Sequence, residues 1–266
     1  MKRIDLKKVE NNTKIGDKCG YFEPNITEDC IFYEDGKPIG FFITNITGKL
    51  KDYIEIANNE FRSKNVPKSS MDRKRPDGFD EKTGLFKYKN VVKQWSTILG
   101  GVPPKPHMRR DYPTMSSVHN EPKAKTFIKA MLLACKESEK LIKEILPEQY
   151  ETQKKLIEEY CPKEFRFGDL FTSSISNFNI PAPFHIDKAN IKGCVNVIIT
   201  KKKFAKGGNL RVPDYDATID STNNSLLVYP AWKNVHGVTP IITSNDKGYR
   251  NSLVFYPLAS FKKYVK

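Results

Sequence analysis

The chain has 266 residues, of which 38% are hydrophobic and 29% charged, a composition typical of a globular protein. It contains no apolar run of the roughly 20 residues needed to span a bilayer, and no apolar secretory segment follows its basic N-terminus. The five cysteines lie far apart without a CxxC pair, which argues against a zinc cluster or a disulfide framework. We therefore expect a soluble intracellular protein of the cytoplasm or nucleus, monomeric and without membrane contact.

The formal net charge of +14 is the strongest compositional signal. A field of this size attracts polyanions, and nucleic acid is the most common polyanion in a cell. A lysine-rich solvated surface would give the same charge, so composition alone leaves both interpretations open.

The first elements in chain order are a hairpin and a helix. The segment CIFYEDGKPIGFFIT has two β-rich runs around Asp35-Gly36, a dipeptide suited to a tight turn. A helix is predicted next, because apolar residues recur every three or four positions before Pro67. These residues are Leu50, Tyr53, Ile54, Ala57 and Phe61.

Residues 68–111 are predicted to form a basic loop, because they are rich in Gly and Pro and lack sustained periodicity. Such a loop could grip phosphates, or it could be an ordinary solvated segment. The candidate phosphate ligands are Arg73, Lys74, Arg75, Arg109 and Arg110.

Two more helices and a series of strands follow. The first helix has an apolar face formed by Phe127, Ile128, Met131, Leu132, Cys135, Leu141, Ile142 and Ile145, and a second helix covers about 148–160. Short strand-like runs follow from about Phe171: FTSSISNFNI, GCVNVIIT, NLRVP, SLLVYP and NSLVFYPL.

This order of elements predicts an α+β fold: a double-stranded β-helix, or jelly-roll or cupin-like barrel, with helices N-terminal to the core packed against it. We expect residues 1–266 to form a single domain. Residues 1–160 would be its helical and loop-rich part, and residues 165–260 its barrel core.

Two histidines in the β region stand out. His185 and Asp187 are two residues apart, so on a strand they would project from one face, and His236 is available from a later strand. Two histidines and a carboxylate form the facial triad of non-haem iron(II) oxygenases. Alternatively, His185 is a hydrogen-bonded core histidine and His236 lies in a turn.

Arg250 and Ser252 would share one face of a later strand. A guanidinium binds a carboxylate through two hydrogen bonds, so this pair suits the far carboxylate of 2-oxoglutarate, unless Arg250 forms a structural ion pair. For the carboxylate nearer the metal, the candidates are Asn177, Asn179 or an arginine of the basic loop.

These residues resemble the TET/JBP family of nucleobase-modifying dioxygenases. The fragment HIDKAN, followed by Gly193 and CVNVIIT, resembles the family's His-x-Asp-x-x-Asn segment. HGVTP and RNSLVFY are similar to its C-terminal catalytic strand, and the resemblance is closest over residues 171–258. It implies a catalytic domain that uses iron(II), 2-oxoglutarate and dioxygen to hydroxylate the C5-methyl group of 5-methylcytosine in DNA.

The resemblance also implies that Asn190 lies at the edge of a flipped base and that Tyr256 stacks on its face. An amide can pair with a base edge, and an aromatic ring can stack on a base. Alternatively, Asn190 caps a turn and Tyr256 belongs to the barrel core.

The chain departs from the family pattern at two points. It has no cysteine-rich zinc-binding region, and Leu258 stands where the family has a base-contacting histidine. Thymine in DNA, as in the JBP branch, is therefore the second candidate substrate, and RNA is a further one. The rival interpretations are a hydroxylase of proteins or small molecules, an alkylated-base demethylase, or a nucleic-acid-binding module with a vestigial site.

Overall fold

The computed structural model describes residues 1–71, 73–80 and 85–265, and within 73–80 and 85–92 it describes the backbone only. In the described chain, the α-helices are α1 (Gly48–Arg62), α2 (Lys125–Ile145) and α3 (Pro147–Tyr160). The strands are β1 (Lys2–Asp5), β2 (Cys30–Glu34), β3 (Lys37–Ile43), β4 (Ser69–Ser70), β5 (Arg73–Asp80), β6 (Leu85–Val92), β7 (Trp95–Val102), β8 (Thr114–Met115), β9 (Ser173–Phe178), β10 (Ala182–His185), β11 (Asn196–Lys203), β12 (Ala205–Gly207), β13 (Leu210–Val212), β14 (Ala217–Ile219), β15 (Ser225–Tyr229), β16 (His236–Val238), β17 (Ile241–Thr243) and β18 (Tyr249–Tyr256). Among these helices, none is long and apolar enough to cross a membrane.

Two sheets form the barrel. The larger sheet has the strand order β1-β2-β3-β15-β11-β18-β9-β7-β4, with β8 added beside β7, and the smaller has the order β10-β16-β13-β14. Apart from the parallel β1–β2 pair, neighbouring strands of these sheets run antiparallel. The predicted α+β double-stranded β-helix is confirmed.

The predicted hairpin is the β2–β3 pair. Its turn residues, Asp35 and Gly36, both have positive φ angles, 50° and 76°, as a type I′ turn requires. β3 then pairs with β15, so this N-terminal hairpin extends the larger sheet.

The helices cover one face of the larger sheet. The buried side of α1 includes Ile54 and Phe61, and the buried side of α2 includes Phe127 and Met131. The rings of Phe61 and Phe127 stack with their centroids 6.1 Å apart. Each large apolar side chain buried here contributes roughly 1.5–3 kcal/mol through removal from water.

Two sequence predictions need correction. Residues 68–111 are not one continuous loop, because β4 to β7 lie within them, and β7 pairs with β9 of the larger sheet. Leu132, expected on the buried face of α2, is 41% exposed. It lies next to Met131 on the helix, and a turn of 100° per residue carries it out of the sheet-facing stripe.

Candidate active site

Three side chains with metal-binding atoms converge at the edge of the smaller sheet. His185 ends β10 and His236 begins β16, and these histidines are paired directly across the two strands. Asp187 lies two residues beyond the end of β10, not on a strand as predicted, and its backbone N–H donates to the Ala231 carbonyl. The ligand atoms of the three residues all lie within 4.8 Å of one another. One ion could therefore contact all three.

Each imidazole is oriented through its Nδ1 atom. His185 Nδ1 lies 2.7 Å from the Pro183 carbonyl oxygen, and His236 Nδ1 lies 3.0 Å from that of Asn234. A carbonyl oxygen only accepts, so Nδ1 carries the proton in both rings and Nε2 keeps a lone pair for a metal.

Asp187 has its two carboxylate oxygens in different environments. Oδ1 lies 3.5 Å from His185 Nε2. Oδ2 accepts a hydrogen bond of 3.1 Å from Asn196 Nδ2 and a longer one of 3.5 Å from Asn190 Nδ2. Burial disfavours the carboxylate, but the hydrogen bonds and the neighbouring histidines outweigh it and lower the pKa of Asp187. The metal-free site therefore keeps an anionic ligand.

The two histidines respond differently to this environment. Protonated His185 can donate a hydrogen bond from Nε2 to Asp187, which raises the pKa of His185, whereas burial lowers the pKa of His236. His236 is 5% exposed and is held neutral, which is the form that binds a metal.

A cavity of about 200 Å³ opens beside the three ligands. Arg250, Ser252 and Val254 line it from β18 because alternate residues of a strand share a face. Its other polar lining residues include Asn177, Asn196, Thr200, Asp220, Ser221 and Ser225.

Arg250 is a buried cation at this cavity. It is 3% exposed, its Nε has no hydrogen-bond partner among the described residues, and burial lowers its pKa to about 10. Gly208 makes room for it, since a Cβ there would lie 2.9 Å from Arg250 Nε. A buried guanidinium with a free donor is destabilising unless an anion binds it, so the site fits a carboxylate ligand such as 2-oxoglutarate.

Of the two candidate asparagines, only Asn177 lines the cavity, where it lies opposite Ser252 in the β9–β18 register. Asn179 is not among the lining residues. Its Oδ1 accepts the backbone N–H of Arg250 at 2.8 Å, and its own N–H donates to the Arg250 carbonyl at 2.9 Å. The Asn179 side chain thus holds the start of β18, and Asn177 is the better placed of the two for the cosubstrate.

The two residues assigned to the base lie near Asp187. Asn190 is 5% exposed and donates a 2.8 Å hydrogen bond to Asn196 Oδ1. Tyr256 is partly buried on the cavity-facing side of β18, and burial raises its pKa to about 12. Leu258 forms an isolated β-bridge with Asn190.

Of the four arginines predicted to bind phosphate, Arg109 and Arg110 are not among the described residues that line the cavity. The side chains of Arg73 and Arg75, like that of Lys74, lie outside the described residues. Arg109 is exposed with a left-handed φ of 56°. Arg110 donates to the Pro103 carbonyl at 2.5 Å and to the Thr114 hydroxyl, so part of its guanidinium stabilises its own loop.

A second depression, which we call the basic groove, adjoins the cavity. It has a volume of about 480 Å³, and Lys68, Lys105 and Arg110 line it. Ser96 of β7 also lines it, and Ser96 lies directly opposite Asn177 of the cavity wall. Directly opposed residues of an antiparallel pair lie on the same face, about 5 Å apart, so the groove continues the cavity along one face of the sheet.

Sequence reasoning missed three residues of this site. Asn196 and Gly208 are described above, and Lys202 lies directly opposite Arg250 in the β11–β18 register. Burial and the charge of Arg250 lower the pKa of Lys202 to about 8. The alternation of β11 places Asn196 and Lys202 on one face, but only the strand register brings that face to Asp187 and Arg250.

The β-barrel, the three candidate metal ligands and the buried arginine define the class of iron(II)- and 2-oxoglutarate-dependent dioxygenases. The chain belongs to the Tet_JBP family, the oxygenase domain of the 2OGFeDO superfamily, whose family model matches residues 104–258. Its cofactors are accordingly iron(II), 2-oxoglutarate and dioxygen. No curated protein sequence matches the chain significantly.

Solved structures with a similar fold include NgTET1 in complex with 5mC DNA, with a TM-score of 0.59 and 12% identity over 96% of this chain and 85% of that one. The structure of OsALKBH1 has a TM-score of 0.40 and 13% identity, covering 83% of this chain and 98% of that one. A prolyl hydroxylase from Trichoplax adhaerens, in complex with a hypoxia inducible factor peptide, has a TM-score of 0.42 and 13% identity. The match covers 85% of this chain and 87% of that one. The likeness to NgTET1 establishes the shared fold.

Proposed function

We propose that the protein hydroxylates the C5-methyl group of 5-methylcytosine in DNA. The observation that carries this proposal is one cavity lined both by the three candidate iron ligands and by a buried guanidinium with a free donor. Membership of the Tet_JBP family and the fold shared with a protein bound to 5mC DNA support the choice of substrate.

In this proposal, His185, Asp187 and His236 hold iron(II). Arg250 binds the far carboxylate of 2-oxoglutarate, and Ser252 donates a further hydrogen bond to it. Asn177, opposite Ser252 on the cavity wall, is available to the other carboxylate. When bound, iron(II), 2-oxoglutarate and dioxygen supply the oxidation that converts a methyl group to hydroxymethyl, releasing succinate and carbon dioxide.

Asn190 and Tyr256 are proposed to contact the flipped base. Both hydrogen bonds of the Asn190 side chain to Asp187 and Asn196 use Nδ2, so neither occupies its Oδ1. A carbonyl oxygen accepts from the exocyclic amino group of cytosine, whereas thymine offers only another oxygen there. This geometry supports 5-methylcytosine over thymine.

The basic groove supports a nucleic-acid substrate. It adjoins the cavity on one face of the larger sheet, and its lysines and arginine suit the phosphates that flank a flipped nucleotide. The hydroxyls of Ser69 and Ser117, which also line the groove, are proposed as further donors to phosphate. We propose that the strand carrying the target base lies along this groove, with Arg109 at its exposed rim.

Thymine hydroxylation is the second candidate, and Leu258 favours it. This residue bridges to Asn190, so an apolar side chain stands beside the proposed base contact where the family has a polar one. Loss of that polar contact would weaken discrimination between the two methylated pyrimidines.

The test is mass spectrometry of nucleosides from DNA containing both thymine and 5-methylcytosine, incubated with protein, iron(II), ascorbate and 2-oxoglutarate. Hydroxymethylcytosine that disappears when 2-oxoglutarate is omitted is the expected product. Hydroxymethyluracil would instead identify a thymine hydroxylase. Succinate formation with unchanged bases would mean that the protein is a dioxygenase whose substrate is neither of these bases in DNA.

A metal-ligand variant provides the matched control. His185→Ala removes one of three proposed ligands, so turnover should fall to background while DNA affinity stays within about twofold, because the electrostatic contacts of the basic groove do not involve His185. Turnover and fluorescence anisotropy with labelled DNA measure the two effects. Wild-type turnover in this variant would contradict the ligand assignment.

A further inference from the structure

We propose that Asn196 is a positioning residue that holds Asp187 so that a single carboxylate oxygen faces the metal, with Asn190 supporting Asn196. The inference rests on the proposed ligand set of His185, Asp187 and His236. It concerns outer residues whose contribution is separable from that of the ligands themselves.

Asn196 is well placed for this role. It is 2% exposed and begins β11, which lies between β15 and β18 in the interior of the larger sheet. Its backbone is fixed by pairing with Tyr229. Asp187, by contrast, lies in the irregular segment after β10. Its hydrogen bond with Asn196 therefore ties that segment to the interior of the larger sheet.

The hydrogen-bond directions follow from the charge of Asp187. An ionised carboxylate only accepts, so the Asn196 atom 3.1 Å from Oδ2 is the donor Nδ2. Asn196 must then present Oδ1 to Asn190, whose Nδ2 donates to it at 2.8 Å. Asn190 Nδ2 also approaches Asp187 Oδ2 at 3.5 Å, and the Asn190 backbone N–H donates to the Asp187 carbonyl at 3.0 Å.

The two asparagines contact only one carboxylate oxygen of Asp187 and leave the other oxygen available to a metal. Oδ2 accepts from both asparagines, whereas Oδ1 lies 3.5 Å from His185 Nε2, on the side of the other ligands. Loss of a residue that hydrogen-bonds to a metal ligand typically weakens metal binding 10–100-fold, because the freed ligand must be reoriented at each binding event. Asn196 is therefore expected to act on the metal without touching it.

The experiment measures binding of Co(II), a spectroscopic substitute for iron(II), to wild-type protein and to Asn196→Ala. Asn196→Ala should bind Co(II) about 10–100-fold more weakly. Its visible Co(II) spectrum should also change, since Asp187 can then offer both oxygens. Asn190→Ala leaves Asn196 in place, and a smaller change in the same direction is expected.

Asn58→Ala is the matched control. Asn58 is a buried asparagine, 0% exposed, and it accepts a 2.6 Å hydrogen bond from Asn251 on the helical side of the larger sheet. Asn58→Ala should lower the urea midpoint about as much as Asn196→Ala does, and it should leave the Co(II) affinity and spectrum unchanged. A purely structural role for Asn196 would make the two alanine variants alike.

Wild-type Co(II) affinity and spectrum in folded Asn196→Ala would overturn the proposal. If Asn196→Ala does not fold, Asn190→Ala is used in its place. Wild-type Co(II) affinity and spectrum in Asn190→Ala would then overturn the proposal. His185→Ala distinguishes failure of the proposed ligand set from failure of the positioning role alone. If His185→Ala binds Co(II) like wild type, the ligand set is wrong and the positioning role falls with it.

Discussion

Gly208 and Arg250 show how one small residue can determine whether a cosubstrate binds. Gly208 has a left-handed φ of 70°, and the position of a Cβ there would lie within 3.1 Å of three atoms of the Arg250 side chain. Arg250 is buried, so a side chain at position 208 would push the guanidinium away from its position in the cavity wall. The absence of a side chain at Gly208 is therefore part of the proposed carboxylate site.

We predict that Gly208→Ala raises the KM for 2-oxoglutarate about tenfold or more, because displacing the guanidinium weakens a charge-assisted hydrogen bond worth roughly 1.5–3 kcal/mol. Steady-state succinate formation measures this. Gly36→Ala is the matched control, since Gly36 has a similar φ of 76° but nothing within 4 Å of its Cβ position. That variant should lose about 1–2 kcal/mol of stability and keep its KM. Equal KM values in the two variants would contradict the steric argument.

Helix α2 carries a buried carboxylate that the catalytic site does not use. Glu139 is 5% exposed, and its Oε1 accepts backbone N–H bonds from Asp169 at 2.7 Å and Leu170 at 2.9 Å. These bonds tie α2 to the turn that leads into β9. Burial nevertheless raises the pKa of Glu139 to about 7, against an ordinary value of 4.5.

The raised pKa gives the fold a pH dependence of known sign. The folded protein keeps this proton up to about pH 7, whereas the unfolded chain releases it near pH 4.5. The stabilising contribution is therefore complete below pH 4.5 and is lost as pH rises through 7. Glu139→Gln should reduce the difference in unfolding free energy between pH 5 and pH 8 by about 2–3 kcal/mol.

Urea unfolding at the two pH values measures this difference. Glu144→Gln on the same helix is the control, because Glu144 is exposed, and its pH dependence should match wild type. A Glu139→Gln profile that also matches wild type would show that this carboxyl does not titrate between the two pH values.

The elements differ in how far sequence predicts them. Helices α1 and α2 and the strands β11 and β18, which carry Asn196 and Arg250, follow from their apolar patterns. Strand β9, which carries Asn177, is largely polar (SSISNF), so its sequence gives a weaker signal. β1 is mostly exposed and charged, and it exists only because β2 offers an edge, so no local signal marks it. The hydrogen bond from Asn196 to Asp187 is equally hidden from the sequence, since it depends on the packing of β11 beside the segment that follows β10.

The net charge of +14 predicts salt-sensitive binding of DNA by the proposed enzyme. If Lys68, Lys105 and Arg110 of the basic groove each neutralise one phosphate, affinity should fall roughly 40-fold between 50 and 200 mM salt. Lys105→Gln should reduce the log–log slope by about one unit. Lys155→Gln, an exposed change on α3, is the control, and fluorescence anisotropy is the measurement. An unchanged slope in Lys105→Gln would remove the groove from the DNA path.

We infer that residues 1–266 form one catalytic domain, because both halves of the chain contribute to the larger sheet. β3 pairs with β15 and β7 pairs with β9, so residues 1–160 flank the core of residues 165–260 on both sides. A fragment of residues 165–260 would expose the faces that these strands and the helices cover. It should lack cooperative thermal unfolding, and a sharp transition would show that the core is independent.

The five cysteines are all buried in the described chain, and burial raises the thiol pKa at each of them. The pKa is about 11 for Cys19 and about 12 for Cys30, Cys161 and Cys194, and burial also raises the pKa of Cys135 well above its ordinary value. Oxidants attack the thiolate, so at neutral pH the folded protein offers them almost no target. An enzyme that handles iron and dioxygen is thereby shielded from its own by-products. The same thiols become reactive on unfolding, so oxidative damage would mark unfolded molecules first.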